Sequence, residues 1–191
     1  MYAFLQEVLG GSSFLMPFIL RMSTMIPVPK RIADEVKRRG FSLEELVIEA
    51  LTRAANLDPQ LPIEHRLELA EKYSSEAEEY EKKGDAIQAS EKLYKVAEEC
   101  IKALSEIFKP SALKEVEIRG KWETWLLGRA AAELSRELKE ELVHLAWSKA
   151  YEIHVWCFHE GKYRMEHVEV AAPYIKKLLE YTKAITERKS R

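Results

Sequence analysis

The sequence predicts an all-α fold: an up-and-down bundle of four to five long helices with a short N-terminal helical pair. Three observations carry this. Ala, Glu, Lys, Leu and Arg dominate the 191 residues, while glycine and proline occur seven times each, a bias toward helix over sheet. Apolar residues recur three and four apart over long stretches, with no strand pattern of useful length. The breaks between stretches are short, which sets consecutive helices antiparallel. With 47 % apolar residues, a chain of this size buries roughly 70 % of the surface its unfolded form exposes, so it needs neither disulfide nor metal to hold together.

Taken in order, residues 1–25 form the least regular segment. They are rich in Phe, Leu and Met but are interrupted by Glu7, Gly10, Gly11 and Pro17. No basic start precedes the apolar part, as a signal peptide requires, and the run is shorter than the ~20 apolar residues of a membrane span. It reads as a loose extension or an upstream start. The globular pattern begins at Ile26. Ile32 and Val36 edge a first helix that Gly40 ends, and Ser42 with Glu45 makes a capping box for a second carrying Leu43, Leu46, Val47, Ala50 and Leu51. This pair occupies 26–58, the bundle 59–187, and a frayed tail 188–191.

Pro62 opens a longer helix with Leu67, Ala70, Tyr73, Ala77 and Tyr80 on its apolar side. Gly84-Asp85 breaks it: glycine suits a left-handed cap, and Asp85 caps the next helix with Gln88 three residues on. That helix, about Ala86 to Phe108, has one arc of Ala89, Leu93, Val96, Ala97, Cys100, Ile101 and Leu104. Its other arc is Glu91, Lys92, Lys95, Glu98, Glu99 and Lys102, which reads as a solvated face laced with i,i+4 pairs. A helix from Trp122 to about Arg136 follows, then one from about Leu138 to Glu160 that is apolar nearly all round and therefore reads as the central one. A last helix after Gly161 carries Val168, Ala171, Ile175, Leu178 and Leu179, with Pro173 kinking or starting it.

Charge and cysteine usage narrow the function. A net charge of -2 argues against binding nucleic acid by charge alone. Cys100 and Cys157 sit among apolar neighbours, as buried free thiols of a cytoplasmic protein do.

The run KGDAIQASEKLYKVAEECIKAL over Lys83–Leu104 resembles the signature segment of the archaeal PaREP family, the first of its numbered series. A second block matches as well: Gly120-Lys-Trp, Ala130 to Ser135, and WSKAYEIHVWCFHE over Trp147–Glu160. The resemblance spans Ile26 to Thr182. It implies no established activity. It does imply a helical layout similar to HEPN domains, many of which are ribonucleases or partners of nucleotidyltransferases.

HEPN ribonucleases pair an Arg with a His a short way along one helix, the Arg stabilising phosphate and the His moving protons. The nearest match here, Arg136 with His144, has seven residues between and departs from the pattern; Arg164 and His167 are too close. Glu141-x-x-His144 has the spacing of a carboxylate-bundle ligand pair, but no second copy exists. We therefore expect no metal and no cofactor. The better binding candidates are Trp147, Tyr151, His154, His159 and Glu160, with His154 in the apolar arc and His159 on the polar stripe, so that the two do not share a face. Trp122, Trp125, Trp147 and Trp156 read as core or dimer interface. Finally, the N-terminal pair resembles that of ribbon-helix-helix DNA-binding proteins, with Lys30, Arg31, Lys37, Arg38 and Arg39 as phosphate contacts, although Pro27 and Pro29 sit where its strand would pair. The expected function is a non-catalytic binding module, homodimeric, with a protein or nucleic-acid partner and no membrane. Ribonuclease and DNA-binding regulator are the alternatives.

Overall fold

The computed structural model describes residues 26–189, without the side chains of Glu45, Glu49 and Arg53. The expected N-terminal extension, the end of the tail and the Glu45 half of the capping box lie outside these. Eight α-helices and no strand occur among the described residues, as the all-α reading requires. The chain divides into two units, the second beginning at Glu44. The described part of the first contains α1 (Lys30–Arg38), which buries no residue and ends at Gly40, φ 77°.

The second unit contains α2 (Leu43–Ala54) from its second residue on, α3 (Gln60–Lys82), α4 (Ala86–Phe108), α5 (Ser111–Arg119), α6 (Thr124–Leu138), α7 (Glu141–Ile153), a π-helical turn (His154–His159) and α8 (Met165–Lys189). Five of these helices are long, and the short α5 is one the sequence pattern did not separate. The breaks are those expected. Gly84 stands at φ 71°, and the Asp85 carboxylate accepts from Gln88 N–H at 3.0 Å. Pro173 lies inside α8 rather than at its start.

The central element is α4, not the helix after Leu138. It packs against α3, α6, α7, the π turn and α8, and Leu93, Val96, Ala97, Cys100, Ile101 and Leu104 are fully buried. By contrast Leu145, Tyr151 and Trp156 on the later helix are exposed. Apolar residues all round that helix reflect a surface as well as a core face.

The arc read as solvated is the second correction. Glu99 and Lys102 are buried, and α3 packs on α4 at Glu99 and Glu106. Arg66 of α3 reaches Glu106 at 2.6 Å and Glu99 at 2.9 Å. Lys102 meets Glu98 at 2.8 Å and Glu99 at 3.2 Å, and Lys95 meets Glu98 at 2.8 Å. Charges alternating along one face can pair with each other and with one arginine opposite, so burial leaves none of these carboxylates uncompensated. Burial alone would raise the Glu98 carboxyl, but Lys102 and Lys95 outweigh it and hold it down at about 2. Bridges from Lys176 to Glu78 and from Lys183 to Glu71 tie α8 antiparallel to α3. Both cysteines are buried and free, and burial pushes the Cys100 thiol up to about 12.

Candidate functional site

The site is assembled at the end of α7, where α-helix gives way to π-helix. The Glu160 N–H bonds to Val155 O at 2.9 Å, five residues back, in place of the four-residue bond of an α-helix. Cys157 pins the turn from inside: its Sγ–H lies 3.1 Å from the carbonyl of Ala86, at the first residue of α4. Such turns are frequent at functional sites, and this one sets the relative positions of His154 and His159, while Trp147 and Tyr151 lie in the regular helix before it.

Residues five apart on an α-helix point about 140° away from each other. The wider π turn brings them back toward one side, and His154 Nε2 and His159 Nε2 stand 2.9 Å apart. The expectation that these histidines occupy different faces is thus overturned by the change of helix type. His154 stacks on Tyr94 of α4 at 3.9 Å between centroids and on Phe158 at 5.3 Å. Tyr94 meets Trp147, which stacks on Tyr151, so a continuous row of rings runs from α7 across α4 to the π turn. Trp147 is buried, Tyr151 is half exposed, and His159 and Glu160 face solvent. On its far edge His154 presents Nδ1 to Glu91 Oε2 at 2.9 Å. The separation suits a hydrogen bond, yet the angles do not make a regular one, and neither buried atom has another hydrogen-bond partner.

The opposite side of the turn forms a cleft of about 280 Å³ lined by Lys149, Glu152, Tyr163, His167 and Val170 among others. Tyr163 stacks on His167 at 4.0 Å and against the half-exposed Trp156 at 6.2 Å. Its hydroxyl donates to Glu152 at 3.1 Å, and Lys149 holds the same carboxylate at 3.0 Å. The Lys149 hydrogen bond lowers the Glu152 carboxyl despite burial, and Glu152 in turn raises the Tyr163 phenol. Tyr163, Lys149 and Glu152 were missed from sequence. Only the gap after Gly161 hinted that the chain doubles back here.

A family model for the archaeal PaREP1/PaREP8 proteins matches residues 65–179. The chain belongs to the archaeal PaREP1/PaREP8 family. The match covers α3 through most of α8, and the N-terminal helical pair lies outside it, although the sequence resemblance was drawn from Ile26. A crystal structure of a Sulfolobus solfataricus protein is similar, with 33 % identity and a TM-score of 0.55, covering 60 % of this chain and 93 % of that one. No curated protein matches.

The remaining sequence candidates of this PaREP chain lie elsewhere. Arg136 is exposed near the end of α6, with Nε toward Ala132 O at 3.4 Å, and His144 is exposed in the first turn of α7. The left-handed Lys139 turn, φ 53°, separates their helices, so they do not sit on one helix as the ribonuclease pattern has it. Lys30, Arg31, Lys37, Arg38 and Arg39 are all exposed, and Glu35 binds Arg38 at 2.7 Å and Arg39 at 2.8 Å. Among the described residues, no helix is long and apolar enough to cross a membrane.

Proposed function

We propose that this chain is a non-catalytic binding module whose ligand seat is the cleft beside the π turn, and that its ligand is a nucleotide or a short stretch of RNA. One observation supports the reading: a stacked Tyr163–His167 pair lines a cleft with Lys149, whose ammonium is paired with Glu152, and the half-exposed Trp156 packs against Tyr163. Aromatic faces stack on bases, and a cation beside them suits a phosphate. The volume of about 280 Å³ is at the small end for ligand sites, enough for a base with its sugar outside. The resemblance to HEPN domains drawn from the sequence adds an analogy, not a mechanism. The same reading has the protein act in the cytoplasm as a homodimer. Exposed Ile118 and Trp125, on either side of the turn between α5 and α6, are apolar anchors of the kind interfaces use.

The test is equilibrium binding of a panel of mononucleotides and short single-stranded RNAs, read by tryptophan fluorescence. Tyr163→Ala and Lys149→Ala are expected to weaken binding at least tenfold without moving the melting temperature by more than a few degrees. Binding unchanged in both variants, or no binding by the parent protein, rejects the cleft as the seat.

A further inference from the structure

The geometry points to a transition-metal site on the other side of the π turn, in which His154 Nε2 and His159 Nε2 together bind one divalent cation of the Cu(II) or Ni(II) kind. Two metal–nitrogen bonds of about 2.0–2.1 Å meeting near a right angle span about 2.9 Å, which is the separation of these two nitrogens. Their ring planes cross at 81° with centroids 4.5 Å apart. That is closer than two imidazoles stand when their nitrogens face each other head-on. The two imidazoles therefore do not meet head-on along the line joining their nitrogens.

The surroundings of His154 are those of a prepared ligand. Its ring is clamped between Tyr94 and Phe158, which removes the rotational freedom that weakens histidine ligation on a surface. Its other nitrogen, Nδ1, faces Glu91 Oε2 at 2.9 Å. A carboxylate behind a histidine fixes the proton on Nδ1 and leaves Nε2 with its lone pair outward, as in the carboxylate–histidine–metal arrangement. The Glu91 and His154 atoms are both buried, 2.9 Å apart and without a regular hydrogen bond, so the carboxylate needs only a small realignment to hold the Nδ1 proton. Without metal, a neutral His159 donates its one N–H, on Nε2, to His154 Nε2. With metal, His159 takes its other tautomer: that same proton moves through solvent from Nε2 to the exposed Nδ1, and the Nε2 lone pair is freed for the ion. Two protein nitrogens leave coordination positions for water or a donor from a ligand. Among the described residues no third His, Cys, Asp or Glu completes the set, so the two imidazoles are the only protein donors the proposal assigns.

Sequence spacing argued against this pair, because it assumed an α-helix. The proposal does not depend on the cleft, whose residues lie on the opposite side of the turn, and its test touches none of them. Untagged full-length protein stripped with chelator is titrated with Cu(II) and with Ni(II) by calorimetry, and the Cu(II) form is examined by electron paramagnetic resonance. One ion per chain is expected, with hyperfine coupling to two nitrogens. His159→Ala, at an exposed position, and His154→Ala are each expected to lower affinity at least tenfold. Glu91→Gln is expected to lower it about tenfold, and His144→Ala to leave it unchanged. Circular dichroism on each variant establishes that it is folded. No stoichiometric binding by the parent protein, or equal binding by folded His159→Ala, overturns the assignment.

Discussion

The two halves of α4 meet their neighbours in opposite ways. Toward its C-terminal half, Glu99 and Glu106 meet Arg66 of α3, while Glu98 and Glu99 pair with Lys102 of α4 itself, each within 3.2 Å. Toward its N-terminal half, Glu91 and Tyr94 meet the π turn, where Glu91 Oε2 and His154 Nδ1 are buried without a regular hydrogen bond and the ring row runs out to a half-exposed Tyr151. Saturated buried charge locks helices in register and offers nothing to a ligand. Polar atoms left unsettled beside exposed rings cost stability and are retained where something else binds. The comparison separates a part of the PaREP bundle whose buried charges are all paired from a part where they are not.

The largest expected effect breaks the paired half. Arg66→Met leaves Glu99 and Glu106 without their arginine and is expected to cost about 3–5 kcal/mol, read from the urea midpoint. Glu91→Gln, an equally conservative change at the other end of the same helix, is expected to shift that midpoint by less than about 1 kcal/mol. If the two losses are equal, the halves do not differ in kind.

Acid sharpens the same contrast. The Glu98 carboxyl, ordinarily at 4.5, is held at about 2 in the fold by Lys102 and Lys95 against the opposing effect of burial. Its contribution is therefore present in full above the unfolded value and is lost as pH falls from about 4.5 toward 2. A shift of this size corresponds to about 3 kcal/mol at most. Unfolding free energy measured between pH 6 and pH 3 is expected to fall in the parent protein, and to fall less in Glu98→Gln.

How much of this the sequence carried depends on whether the information was local. Helix breaks at Gly84-Asp85, the Gln88 cap and the apolar arc of α4 follow from neighbouring residues, and all three stand. The charged arc did not reveal its burial, because a pattern of Glu and Lys looks the same on a solvated face and on one covered by a helix bearing Arg66. That distinction is tertiary. The π turn was invisible for a different reason. Helical periodicity assumes a fixed winding, and the one clue, Cys157 bonded to the first residue of α4, comes from 71 positions away in the chain. His154 and His159 were therefore picked as individuals and missed as a pair, while Tyr163, just past the turn, was not picked at all.

A smaller effect tests the end of α4 that meets the π turn. Asp85 accepts from Gln88 N–H at 3.0 Å, and Asp85→Ala is expected to cost about 1 kcal/mol, read from thermal unfolding. Because Cys157 docks on the carbonyl of Ala86 next to this cap, amide exchange is expected to speed up in residues 154–159 more than in the second half of α4. Equal acceleration along the whole helix would mean that the turn is not coupled to the cap.

The smallest effect is at Gly128, in the middle of α6. Replacing a mid-helix glycine with alanine ordinarily stabilises by roughly 0.5–1 kcal/mol. Here the new Cβ would stand 3.1 Å from Trp147 Nε1, too close unless the indole yields by a few tenths of an ångström. Trp147 is not free to yield without consequence, since Tyr94 lies on one flank and Tyr151 on the other. The helix gain and the contact cost oppose each other, so the net change in stability is expected to stay within about 1 kcal/mol of zero. The displacement itself passes along the ring row to Tyr94 and on to His154. Gly128→Ala is therefore expected to shift the tryptophan emission and weaken metal binding at His154 and His159 while leaving the urea midpoint almost unmoved. A variant that melts early but binds as the parent does would show that the row is packing alone, and that the unsettled half of α4 differs from the saturated half only in exposure.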